Sequence, residues 1–197
     1  MEKREKQPWW KNGWLWGLLV IGVLHLTGMA VHVQAGMQRV LLETGLFHPD
    51  IRPSEERAAA PTGLVVRTAD GQAHRLEDFE GQVRFINFWA TWCAPCLAEM
   101  PAISRLHRDY GERVRFLMVN LDEDPGVARE YLERSDFGLE LVRPIGPIPQ
   151  GLSTGLIPTT VVVDREGRIA VHEGGMADYD SRRFRTGLDK LLEEAGP

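Results

Sequence analysis

Val83 to Trp89 is nearly all apolar and runs almost directly into Trp92-Cys93-Ala94-Pro95-Cys96, after which the chain reads as a helix. A short run that is apolar at both odd and even positions is the pattern of a strand covered on both faces. The two cysteines of the chain therefore stand where a buried strand hands over to a helix. A helix start presents unpaired backbone N–H groups and the positive end of the macrodipole, both of which favour a thiolate. The second cysteine lies one turn on, within reach for a disulfide. Cys93 is the candidate attacking thiolate and Cys96 the candidate resolving thiol. Pro95 suits the first helical turn, where a missing N–H costs nothing.

Other uses of such a pair fit less well. Four-coordinate zinc needs further Cys or His ligands at short spacing. There is no second cysteine pair, and the six histidines (25, 32, 48, 74, 107 and 172) are scattered. No metal site and no cofactor are predicted. A purely structural disulfide across two residues would close too small a loop to constrain the unfolded chain much. Redox chemistry is the reading that remains. The formal net charge is −5 and no basic stripe is visible, which argues against nucleic acid as a partner.

The N-terminus has a different character. Lys3, Arg4, Lys6 and Lys11 precede an apolar stretch from Trp14 to Ala35, 22 residues without Asp, Glu, Lys or Arg. As one helix it would extend roughly 33 Å, enough to cross a bilayer. Trp9, Trp10, Trp14 and Trp16 cluster at its entry side, where aromatic rings prefer the headgroup level. Residues 1–13 are expected in the cytoplasm, 14–35 in the membrane, and the rest outside the cytoplasm. Val33-Gln34-Ala35 before Gly36 also resembles a signal-peptidase site, the competing expectation.

Residues 36–62 read as a juxtamembrane helix and linker, with the folded domain starting near Gly63. Leu64–Thr68 and Ala73–Leu76 around Asp70-Gly71 read as a hairpin. Further strands are expected at 83–89, 114–121, 139–142, 159–163 and 168–172, with helices at 95–110, 124–136 and 179–194. Pro101 is expected to kink its helix. Residues 144–158, with four prolines and three glycines, read as a loop. Strands alternating with helices and then a closing hairpin imply an α/β fold, a mixed central sheet flanked by helices with the first hairpin as an N-terminal extension.

Phe88-Trp-Ala-Thr-Trp-Cys-Ala-Pro-Cys-Leu-Ala-Glu-Met-Pro101, the preceding Leu76-Glu-Asp-Phe-Glu-Gly81 and the later Ile157-Pro158-Thr159 fall in one order. In this the chain resembles the TlpA/ResA branch of thioredoxin-like proteins over about residues 60–195. The resemblance implies a thioredoxin-like fold and a membrane-anchored, extracytoplasmic thiol–disulfide oxidoreductase. Its partners would be extracytoplasmic protein substrates with disulfides, and its electron donor a membrane thiol transporter. The direction would be reduction, of the kind serving cytochrome c maturation or cuproprotein assembly.

The same resemblance implies that Pro158 is a cis-proline lying against the cysteine pair. Trp92, Ala94, Pro95, Ile157, Pro158 and Thr159 would form the surface for the substrate chain. From the residues alone, Trp92 is open between an apolar shelf for the partner and a cover for the sheet edge, while Trp89 is expected in the core. Glu99, three residues after Cys96, would handle protons. It is expected one turn along the helix, partly shielded by the sheet edge and Trp92. Asn87 stands where cytoplasmic thioredoxins keep a buried Asp, so it cannot be the proton acceptor here. A copper chaperone using Cys93 and Cys96 is the alternative. Against it, Gly155-Leu-Ile157 offers no Met or His ligand.

Overall fold

The computed structural model describes residues 13–42 and 47–194. The expected basic N-terminus, Lys3 to Lys11 with Trp9 and Trp10, lies outside the described residues.

The strands are β1 (Val65–Arg67), β2 (Ala73–Arg75), β3 (Val83–Trp89), β4 (Val114–Asn120), β5 (Leu141–Ile145), β6 (Thr159–Val163) and β7 (Ile169–Gly174). The helices are α1 (Gly13–Leu26), α2 (Met29–Leu42), α3 (Ala94–Tyr110), α4 (Pro125–Ser135) and α5 (Arg182–Glu193). One seven-stranded mixed sheet has the order β2-β1-β5-β4-β3-β6-β7. The fold is the mixed sheet flanked by helices that the sequence predicts.

All seven residues of β3 are buried because the sheet is covered on both faces. Val83, Phe85 and Trp89 point into a core shared with α3, α4 and α5. Ile86 and Phe88 point the other way, against Leu64, Val66, Leu76 and Leu117. β3 pairs parallel with β4, Val83 opposite Val114, and antiparallel with β6, Phe88 opposite Thr159. The second pairing puts Ile157-Pro158 at the same end of the sheet as the cysteines.

Helix starts follow their caps. Asp124 Oδ1 accepts from Gly126 N–H at 2.8 Å with Pro125 in the first turn, and Ser181 Oγ accepts from Phe184 N–H. The second cap starts α5 three residues later than expected. α3 continues through Pro101 as one helix.

Three expectations need correction. First, the segment 144–158 is not all loop: β5 continues through Pro144 and Ile145, and Val66 faces Pro144 in the β1 ladder. β4 pairs only with Leu141 and Val142, so beyond them the missing proline N–H breaks no bond on that side.

Second, the domain begins before Gly63. Arg52 N–H donates to Ala170 O at 2.9 Å, Ile169 N–H to Ala58 O at 2.8 Å, and Ala60 N–H to Gly167 O at 2.7 Å. The buried Arg57 guanidinium bonds Asp164 at 3.2 Å and both carboxylate oxygens of Glu194 at 2.5 and 2.9 Å. Backbone bonds and a charge cluster hold this segment, which is why apolar periodicity did not reveal it.

Third, the stretch 14–35 is not one helix. α1 and α2 meet at an angle of 101° across Thr27-Gly28, and among the described residues no single helix is long and apolar enough to cross a membrane. Gly28 takes a left-handed φ of 69° and the Thr27 hydroxyl donates back to Val23 O, which together end α1. α2 packs along α3, burying Ala35 and Leu42, and His32 stacks on Tyr131 of α4 with ring centres 6.2 Å apart. α1 is apolar all round and buries none of its residues.

Candidate active site

β3 delivers the chain to the site, and the turn after it is pinned. The Asp122 carboxylate accepts from Thr91 N–H at 3.0 and 3.2 Å and from the Thr91 hydroxyl at 2.9 Å. Asn120, at the end of β4, donates to Asp122 at 2.6 Å. Neither residue stands out in the sequence, because each acts on a turn some 30 positions away.

Cys93 follows as the N-cap of α3. Its carbonyl accepts from Leu97 N–H at 3.1 Å and its sulfur from Cys96 N–H at 3.2 Å. This sulfur therefore holds the place of a capping oxygen, where helix-start donors stabilise negative charge. Cys93 and Cys96 form a disulfide, with Cα atoms 5.2 Å apart. Cys93 retains 5% exposure and Cys96 none, so an incoming thiolate meets Cys93 first. Pro95 lies in the first turn of α3 and is partly exposed, while Ala94 is buried.

Trp92 is 65% exposed and Trp89 fully buried. Trp92 thus stands clear of the sheet, and Trp89 lies in the core as expected. Across the sheet, the Ile157–Pro158 peptide is cis. The Pro158 carbonyl accepts from Gly175 N–H at 2.8 Å. Ile157 is partly exposed, and Leu156, which the sequence did not single out, is 71% exposed. Thr159 differs from expectation as a substrate contact. It is fully buried, and its hydroxyl donates to Leu156 O at 2.7 Å. It shapes the loop before Pro158 and leaves Leu156 and Ile157 as the presented side chains.

Glu99 also lies elsewhere than expected. It has no exposed surface and does not sit under Trp92 at the sheet edge; it points from α3 into the core. Asn87 Nδ2 donates to its Oε1 at 2.7 Å and Ala177 N–H to its Oε2 at 3.3 Å. Burial pushes the carboxyl up to about 8, against the opposing pull of those two donors, and the charge of Glu173 adds to the rise. Glu99 can therefore gain and lose a proton near neutral pH, which an ordinary surface glutamate cannot. Among the described residues, no three His, Cys, Asp or Glu side chains come together as a metal site.

Residues 55–178, well over half of the chain, match the Redoxin family. The chain belongs to the Redoxin family. It is 31% identical over 143 residues to the thiol-disulfide oxidoreductase ResA of Bacillus thuringiensis subsp. konkukian, covering 68% of this chain and 75% of that one. It is 27% identical over 167 residues to the thioredoxin-like protein YneN of Bacillus subtilis, covering 83% and 91%. A secreted thiol-disulfide isomerase from Corynebacterium glutamicum shares the fold, with a TM-score of 0.59 and 24% identity over 74% of this chain and 92% of that one. The thioredoxin-like fold and the ResA-like kinship expected from the motifs both hold. With a cysteine pair capping α3, this Redoxin protein is a thiol–disulfide oxidoreductase.

Proposed function

We propose that this oxidoreductase works outside the cytoplasm as a protein-disulfide reductase, tethered to the cytoplasmic membrane by its N-terminal apolar segment. The observation that carries the reading is a cysteine pair at the start of α3 with a buried, protonatable Glu99 one turn beyond it.

In the reduced protein the Cys93 thiolate attacks one sulfur of a substrate disulfide. The S–S bond breaks, and a mixed disulfide forms as the first substrate sulfur leaves as a thiolate and takes up a proton. Cys96 then gives its proton to the Glu99 carboxylate and attacks Cys93 Sγ. The second substrate thiolate leaves, and Cys93–Cys96 becomes the disulfide of the present structure. Two electrons have passed to the substrate, and a membrane thiol transporter returns them. Trp92, Ile157 and Leu156 offer apolar surface to the substrate chain, beside the cis-Pro158 backbone. Cytochrome c apoproteins or copper-protein assembly factors are the substrates we favour.

The equilibrium potential of the Cys93–Cys96 couple tests the direction. A value near about −270 mV supports a reductase, whereas one near about −120 mV makes the protein an oxidase and sinks the proposal.

A further inference from the structure

Four polar side chains meet beneath α3, and none reaches solvent. Asn87, Glu99, Thr160 and Tyr179 are each fully buried. Register and chain order bring them together. Asn87 and Thr160 face each other across the β3–β6 pair, and Glu99 comes down from α3. Tyr179 lies two residues beyond Ala177, whose N–H donates to Glu99. Asn87 uses both amide hydrogens here, one on Glu99 Oε1 at 2.7 Å and one on Thr160 Oγ1 at 2.9 Å. Its Oδ1 has no partner, and Tyr179 Oη lies beside Thr160 without completing a well-formed hydrogen bond. A core needs none of this: burying polar atoms without partners is costly, and an apolar residue in the middle of β3 would avoid the cost.

We propose that Asn87 is a positioning residue for disulfide exchange, holding the Glu99 carboxyl one turn beyond Cys96 in both of its protonation states. The inference rests on the reading of Glu99 as the proton-handling group. A carboxylate only accepts hydrogen bonds, and the Asn87 Nδ2 donates to it. A carboxylic acid must donate, and a turned-over Asn87 amide offers it Oδ1, the atom now without a partner. In that orientation Oδ1 can accept from the Thr160 hydroxyl as well. Leucine could serve neither state, and aspartate would set a second carboxyl against the first. Thr160 extends the link to β6, the strand that follows Pro158.

The other groups facing Glu99 do not provide this. Ala177 offers a fixed backbone donor, and Glu173 on β7 acts only through its charge. Burial, then the Glu99 charge, holds the Tyr179 phenol well above its ordinary range, so it stays neutral. Cys93 and Cys96, on the same helix, are silent while disulfide-bonded.

The oxidised protein therefore isolates Glu99. Side-chain carboxyl carbons are labelled with 13C, and the Glu99 signal is assigned by its loss in Glu99→Gln and followed with pH. The wild-type midpoint should lie near about 8. In Asn87→Ala the midpoint should rise by about one pH unit, because the charge-assisted bond lost from the carboxylate is stronger than the neutral bond lost from the acid. The pH profile of insulin disulfide reduction should move the same way. Asn87→Asp, nearly isosteric, carries the test if the alanine variant does not fold: it should titrate in two coupled steps, the upper above the wild-type midpoint. A midpoint unmoved in Asn87→Ala, or a single wild-type step in Asn87→Asp, overturns the role of Asn87. Unchanged insulin reduction in Glu99→Gln overturns instead the reading on which the inference rests.

Discussion

Cys93 and Cys96 are unequal because the first caps a helix at the protein surface and the second is wholly inside it. Replacing Cys96 with Ser should leave the attacking sulfur intact and remove the group that resolves it. Mixed disulfides with substrate proteins should then accumulate and vanish on reduction, while Cys93→Ser should trap none. Non-reducing gels of both variants decide this, and equal trapping would dissolve the assignment. Glu99 gives a prediction about stability. Its folded carboxyl titrates near about 8 against an ordinary value of 4.5, because burial disfavours the charged form. Between those pH values the folded state holds a proton that the unfolded state has released. Stability therefore falls as pH rises through that window and levels off above the folded pKa, a loss on the order of several kcal/mol. Glu99→Gln should flatten this slope in the oxidised protein, where neither cysteine titrates. Urea unfolding midpoints from pH 5 to pH 9 measure it, and parallel slopes in the two proteins would refute it. The sequence marked Glu99 through its place after Cys96, but its true surroundings were not legible there. The Asn87–Glu99 bond joins residues 12 apart, and the Asp122–Thr91 bonds join residues 31 apart. Motif spacing along one element carries no information about such partners.

Elements were legible in proportion to how strongly apolar residues define them. β3, β4, β6 and α3 stand close to where their apolar runs and turn residues place them, since burial on one or both sheet faces writes a direct signature into the chain. The prediction fails where something other than apolar burial holds the backbone. Pro144 lies in β5 although proline argues for a loop, because the β4 ladder has already ended there. Residues 52–60 lie along β7 and are fixed by backbone bonds and by Arg57, whose bonds to Glu194 span 137 positions. Arg57→Ala would leave Asp164 buried with one ion-pair partner fewer. Arg168 remains at 3.1 Å from Asp164, and the N–H groups of Glu166 and Arg168 still donate to it. The loss should therefore sit at the low end for a broken buried pair, about 3 kcal/mol. Denaturant unfolding of the variant measures this. A cost below about 1 kcal/mol, typical of surface pairs, would show that the segment is a linker after all.

At the scale of the whole molecule, the question is how an apolar N-terminal segment and a packed redox domain share one chain. α2 belongs to the domain by its contacts: Ala35 and Leu42 are buried against the core, and α2 lies along the helix that carries both cysteines. α1 has the opposite character, with Trp14, Trp16, Leu18, Leu19 and Ile21 each more than half exposed. A helix apolar on every side is at home only inside a protein or among lipids, and nothing in the described chain covers α1. A signal-peptidase cut after Ala35 would divide α2 in its middle and detach a residue that the core buries. The full-length chain is therefore expected to persist, held at the membrane through α1 and the residues before it. Expressed with its own N-terminus in a bacterium, the protein should sediment with membranes after a carbonate wash. An extracytoplasmic alkaline phosphatase reporter fused after Pro197 should be active. Replacing Leu19 and Ile21 together with Lys should release the chain from the membrane fraction or abolish reporter activity, since two charges in an apolar span cost several kcal/mol. N-terminal sequencing of the wild-type protein separates the two fates of the segment. A soluble chain that begins at Gly36 would mean that α1 is a leader, and that the docking of α2 does not survive maturation.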